Sequence, residues 1–209
     1  MFASLVAALG TPRAVALVEM GDERPHVREW VEYHLAVGFS HLYVTLGDHA
    51  TEEVRATLRA YSPDVTVMKG KLGHHGTGSM TLRAARDAGD APLWVCAFDA
   101  DEYFTPIDPW SSVPSLLARY EAAGQHHLHL PKVGFGDSHD SELKQCVDGP
   151  LIARFTQYGE ETGSGKTCFH SSVLPPPPSP RMWHPTRRSR STRRAPSCAG
   201  RTRLRSSTR

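Results

Sequence analysis

Apolar runs and helix-period stripes alternate along most of the chain, and their order predicts its architecture. Ala14 to Glu19 (AVALVE) is a short run of small and β-branched residues that ends at the polar Gly21-Asp22-Glu23, the pattern of a buried strand. Pro25 suits the first turn of a helix in which Val27, Trp30, Val31, His34 and Leu35 share one face, with Gly38 as its stop. His41 to Leu46 (HLYVTL) predicts a second strand. Thr51 then caps a helix with Glu52 and Glu53 in its first turn, where the helix dipole favours acids, and Val54, Leu58 and Tyr61 on its buried face. Asp64 to Met68 (DVTVM) predicts a third strand, and a glycine and histidine loop from Gly70 to Gly78 leads to a helix over Ser79 to Ala88. Leu93 to Phe98 (LWVCAF) is wholly apolar and predicts a fourth strand. A helix from Ser112 to Ala123, with Val113, Leu116, Leu117 and Tyr120 inward, and a strand from His126 to Leu130 follow.

Such alternation argues for an α/β layer, because parallel neighbours need helical crossovers and are buried by them on both faces. The predicted fold is a Rossmann-like, mostly parallel sheet with flanking helices. In such sheets ligands sit beyond the carboxyl ends of the strands. Asp99-Ala100-Asp101-Glu102 directly follows the fourth strand, so an acidic cluster falls where a ligand would.

Composition changes this picture at one end of the chain. The 209 residues, 39% hydrophobic and 22% charged with a mean hydropathy of −0.39, exclude a membrane bundle and a wholly disordered chain. The net charge of +2 conceals a division: residues 1–180 carry 14 Lys and Arg against 22 Asp and Glu, whereas residues 181–209 carry 10 Arg and no acid. From the four prolines Pro175 to Pro178 onward the chain is Arg, Ser, Thr and Pro with scarcely an apolar residue, and it cannot fold alone. The expected organisation is one folded domain over 12–174 and a disordered basic tail over 175–209, whose bias also fits translation in another frame. An arginine tail attracts polyanions, but no aromatic interleaving and no folded basic face accompany it, so nucleic acid is not the expected partner.

Cys96, Cys146, Cys168 and Cys198 show no CxxC pair and no zinc spacing, which predicts neither a zinc module nor a disulfide scaffold. No run reaches the length of a spanning helix, and Met1 to Gly10 has no basic n-region, so no signal or anchor is visible in this chain. The first strand starts so near residue 1 that a preceding segment stays open.

Asp99 and Asp101 stand two apart. A chain leaving the strand in extended form would turn both carboxylates to one side, where they could share a hard divalent ion such as Mg²⁺ or Mn²⁺. A diphosphate bridged by that ion is a leaving group whose developing charge is neutralised. Set in its flanks, WVCAFDADEYFTP resembles the signature of family 92 glycosyltransferases and related family-2-like enzymes of the GT-A fold. A second block, GDERPHVREWVEYHLAVGFSHLYV, is similar to that family's opening block through Glu23, Glu29, Trp30, Tyr33, His34, Gly38 and His41. Gly134-Phe135-Gly136-Asp137-Ser138-His139 is a weaker third match.

The resemblance implies transfer of a sugar from a nucleotide-sugar donor to a hydroxyl acceptor, such as a glycan, with Mn²⁺ or Mg²⁺ as cofactor. It implies that Asp101 ligates the metal directly, that Asp99 contacts the donor ribose or the metal's water shell, and that Glu23 sits beside the nucleotide. Lys166 would meet a donor phosphate as a point charge. Asp137, His139 and Asp140 are the nearest candidates for a general base. The family is often Golgi-membrane bound. Two departures stand out: Asp22-Glu23 replaces an Asn-Glu, and Leu46-Gly47-Asp48 replaces an Asp-Asn pair, so that Asp48 reaches the nucleobase only through a register shift. The family's last block is missing, with Trp183-His184 as a remnant of it. The alternatives are a metal-dependent phosphoryl or nucleotidyl transferase using the same carboxylates, and a catalytically degenerate domain with a polyanion-binding tail.

Other features read as structure. Trp30 and His34 are expected in the core, His34 as a hydrogen-bonded histidine that fixes its helix. His74 and His75 are adjacent, a poor arrangement for one ion. Gly163-Ser164-Gly165-Lys166-Thr167 resembles the end of a P-loop, but residue 161 is Glu and Thr167 to His170 reads as extended.

Overall fold

The computed structural model describes residues 11–21, 26–70, 74–106, 112–136 and 157–174, all within one compact unit, Met1–Pro177. The strands are β1 Ala14–Met20, β2 His41–Leu46, β3 Val65–Lys69, β4 Trp94–Asp99, β5 His127–Gly136 and β6 Gln157–His170. The helices are α1 Val27–Ala36, α2 Glu52–Arg59, α3 His74–Ala88 and α4 Val113–Ala122, and a 3₁₀ turn, Ser171–Val173, follows β6.

The strands form one sheet in the order β3-β2-β1-β4-β6-β5. The first four run parallel, with Val18 opposite Val44 on one side and Phe98 on the other. β6 then pairs antiparallel with β4, and β5 antiparallel with β6. The predicted α/β fold with a mostly parallel sheet and flanking helices is what forms.

Alternation along β1 shows why both faces need cover. Ala14, Ala16, Val18 and Met20 pack with Trp30, Val31, Leu58 and Leu117 of α1, α2 and α4, whereas Val15 and Leu17 pack with Met80 and Ala84 of α3. The helix signals act as read: Thr51 Oγ1 accepts the Val54 amide, and Ser112 begins α4 in a capping box with Ser115. Gly38 ends α1 at φ +109°, and a Cβ there would lie 2.6 Å from Pro114 Cδ, so this turn admits glycine both for its dihedral and for the close approach of α4.

Three expectations are corrected. α3 begins at His74, well before Ser79, because Glu19 at the end of β1 accepts both the amide and the hydroxyl of Thr77, and this offsets the weak helix propensity of Gly76 and Gly78. β6 is a 14-residue strand where only its last residues read as extended. Cys96 and Cys168 form a disulfide, which the cysteine spacings did not indicate. The antiparallel register sets them opposite each other with Cα atoms 4.2 Å apart, and their separation of 72 residues left no local spacing to recognise. No helix among the described residues is long and apolar enough to cross a membrane.

Candidate functional site

Strand order reverses between β1 and β4: the chain steps outward from β1 through β2 to β3, then returns to pair β4 on the other side of β1. The crevice beyond the carboxyl ends of these two strands is the natural ligand position of such a sheet. Glu19 and Asp99 are register partners there, and the turn carrying exposed Asp48 follows β2 at the same end, tied to β1 by the Gly47 amide on the Met20 carbonyl at 2.9 Å.

The chain does not leave β4 extended. It turns at once, with the Glu102 amide donating to the Asp99 carbonyl at 3.1 Å. Asp99 and Asp101 are therefore not set on one side by strand pleating. The turn folds the Glu102 carboxylate back instead, so that its Oε2 accepts the Asp99 amide at 2.8 Å. Asp99 and Asp101 are both exposed, whereas the Glu102 side chain is 10% exposed.

Two lysines from the antiparallel strands close the cluster. Lys166 Nζ of β6 lies 2.7 Å from Asp99 Oδ2 and 3.0 Å from Glu102 Oε2, and Lys132 Nζ of β5 lies 2.7 Å from Glu102 Oε1. Register explains their meeting. Leu130 pairs with Lys166 while Lys132 pairs with Thr162, so the intervening glycine-containing stretch of β6 forms a bulge that re-aims the strand. Gly165 admits no side chain, since a Cβ would collide with the His129 ring and the Leu130 carbonyl. The Gly-Ser-Gly-Lys-Thr run is thus part of a strand, where only Thr167 to His170 read as extended.

The ammonium groups are held charged. Burial pulls Lys166 down, but its hydrogen bonds to Asp99 and Glu102 outweigh that and raise its pKa above the ordinary lysine value. The Glu102 hydrogen bond raises Lys132 against its own partial burial.

α1 fixes the turn from behind. Trp30 Nε1 donates to the Glu102 carbonyl at 3.0 Å, the Phe104 amide donates to His34 Nε2 at 3.4 Å, and the Tyr33 and Thr105 hydroxyls are 2.8 Å apart. The two blocks that carry the family resemblance are thus bonded to each other across some 70 residues. His34 is fully buried as expected and stacks on Tyr103 at a ring separation of 5.8 Å. Trp30 is equally buried and belongs to the core, yet its indole N–H also orients the acidic turn.

Of the sequence-predicted site residues, Asp99 and Lys166 meet, Asp101 lies in the same turn, and Asp48 lies at the same end of the sheet. Leu46 is buried in the core, which keeps it from a nucleobase. Glu23, Asp137, His139 and Asp140 lie outside the described residues, as do Trp183 and His184 and the side chains of His74 and His75. Lys132 and the anchoring role of Glu102 were not predicted. Lys132 carries no motif, and register and bulge alone bring it to the cluster.

Fold and cluster together define an α/β domain with a mixed carboxylate and ammonium site at its switch point. No known protein family and no curated protein matches the chain. Similar solved structures include 4-diphosphocytidyl-2C-methyl-D-erythritol synthase from Anaerococcus prevotii, at 11% identity over 78% of this chain and 71% of that one, TM-score 0.44. HddC from Yersinia pseudotuberculosis is similar at 12% identity over 78% of each chain, TM-score 0.42. CMP:2-keto-3-deoxy-manno-octonic acid synthetase complexed with CTP is similar at 13% identity over 77% of this chain and 75% of that one, TM-score 0.41. At such scores the overlap is loose, and the reading of the site rests on its own residues.

Proposed function

We propose that the chain is a glycosyltransferase of the GT-A type, moving a sugar from a nucleotide-sugar donor to a hydroxyl acceptor. The observation that carries this reading is the cluster Asp99-Asp101-Glu102-Lys166 at the carboxyl end of β4, at the switch point, inside the block that resembles family 92. In the reaction the acceptor oxygen bonds to the anomeric carbon as that carbon's bond to the donor phosphate breaks. The electron pair leaves on the nucleoside diphosphate, and the hydroxyl proton passes to a base, for which Asp137, His139 and Asp140 are the candidates.

Asp99 and Asp101 would hold the divalent ion. Their exposed oxygens suit Mg²⁺ or Mn²⁺, hard ions that also take up diphosphate oxygens. Such an ion supplies neutralisation of the leaving diphosphate. Lys166 is placed to meet the same charge, and α1 holds the turn that carries both carboxylates.

The paired lysines also favour a second reading, a nucleotidyl transferase acting on a triphosphate. Product analysis separates the two, since one releases a nucleoside diphosphate and the other releases pyrophosphate.

The first test is a melting scan of the full chain with UDP, GDP or ADP, with and without Mn²⁺. A rise in Tm with one nucleotide that requires Mn²⁺ and vanishes in Asp101→Ala is expected, by the linkage of binding to stability. No shift with any nucleotide would overturn the reading and leave a degenerate domain.

A further inference from the structure

Glu102 is spent on three donors: the Asp99 amide, Lys166 and Lys132. Its side chain is almost buried and its two oxygens face the two ammonium groups, so its work is to aim them. Those groups come from different strands and converge on one side chain, although each positive charge disfavours the other. One nearly buried carboxylate gives reason to hold one ammonium group, and only weak reason to gather a second at a ligand crevice. A ligand with two adjacent negative groups gives a strong one.

We propose that Lys132 and Lys166, aimed by Glu102, form the seat of the donor's diphosphate. This deepens the glycosyltransfer reading and rests on it. An ammonium has three N–H donors, and Lys166 gives two of them to Asp99 and Glu102, which leaves a third for a phosphate oxygen. Its side chain is 29% exposed and that of Lys132 is 36% exposed, so both are partly open to solvent. The diphosphate takes this third donor and, by competing for the same ammonium charge, loosens the exposed Asp99 contact. Asp99 is thereby released for the ribose or the ion, and the buried Glu102 contact stays.

Titration calorimetry of the full chain with inorganic pyrophosphate and with UDP, each in EDTA and in Mn²⁺, tests the seat. Pyrophosphate is expected to bind in EDTA, and Lys132→Met and Lys166→Met each to weaken it by about tenfold or more. Glu102→Gln provides the sharper reading. It removes a negative charge, so a diffuse electrostatic site would bind pyrophosphate more tightly, whereas a seat built on aimed ammonium groups binds it more weakly. Melting curves of the unliganded variants confirm that each is folded, and binding by the arginine-rich C-terminal residues would survive all three substitutions. Unchanged affinity in both lysine variants, or tighter binding in Glu102→Gln, overturns the seat. If UDP still binds with Mn²⁺ in that case, the glycosyltransfer reading stands without it. If pyrophosphate binds through the lysines while no nucleotide binds, the seat stands and the glycosyltransfer reading falls.

Discussion

His34 shows how much one buried side chain can settle. Its Nδ1 lies 2.8 Å from the Trp30 carbonyl and its Nε2 accepts the Phe104 amide, so the ring is neutral, with its proton on Nδ1. Burial lowers its pKa to about 4, against the weaker opposing effect of the Trp30 carbonyl. An unfolded histidine takes up its proton near 6.5, whereas the folded one resists until about 4. The neutral ring's contribution is therefore full above pH 6.5 and is lost as the pH falls through that window, a loss of about 3 kcal/mol from a shift of this size. His34→Gln keeps a polar side chain but cannot titrate. Urea unfolding at pH 7 and at pH 4.5 is expected to show the original chain losing about 2–3 kcal/mol more than the variant. Equal losses in both would mean that burial of His34 does not hold its proton off. Because His34 also anchors the segment after the acidic turn, the site of the folded chain is expected to loosen only as the pH falls below about 4.

Between elements, the disulfide and the bulge decide where the lysines arrive. Cys96 lies three residues before Asp99 and Cys168 two after Lys166, so their bond pins β6 to β4 immediately beneath the cluster. Replacing both cysteines by serine is expected to cost about 2–4 kcal/mol, given the long loop that the bond closes, and reducing agent should lower the Tm of the original chain and leave that of the variant unmoved. A Tm indifferent to reductant would refute the bond's structural role. A chain that depends on such a bond suits an oxidising compartment. These elements also mark the limit of reading this sequence. β1, α1, β2, α2, β3, β4 and α4 were legible because each carries its own periodicity and caps, and Asp99, Asp101 and Lys166 because they sit in recognisable surroundings. β6 was not, since QYGEETGSGKTCFH has no apolar alternation and is held by partners distant in sequence. The start of α3 was not, since Glu19 favours it from another strand. Lys132 was not, since an isolated lysine means nothing until a register gives it neighbours.

At the scale of the whole molecule, the sheet has two chemically different ends, and topology says which one a ligand uses. Beyond the carboxyl ends of β1 and β4 lie Asp99, Asp101, Glu102 and the two lysines. At the opposite end His126, His170 and Ser172 contact one another, with the Ser172 hydroxyl 2.8 Å from His170 Nδ1 and 3.2 Å from His126 Nδ1. A nucleotide bound at the switch point is expected to slow amide exchange in residues 99–106 and in the Gly47–Ala50 turn, and to leave the region around His126 and His170 unaffected. Arginines among residues 181–209 attract phosphate as well, but such binding weakens steeply with salt because it rests on counterion release. Exchange mass spectrometry at roughly 0.2 M salt therefore separates the two. Protection at 99–106 that persists in salt places the ligand in the crevice. Protection confined to the arginine-rich residues, or appearing at the His126 end, would show that the topological rule does not govern this chain and that the acidic turn is not its ligand site.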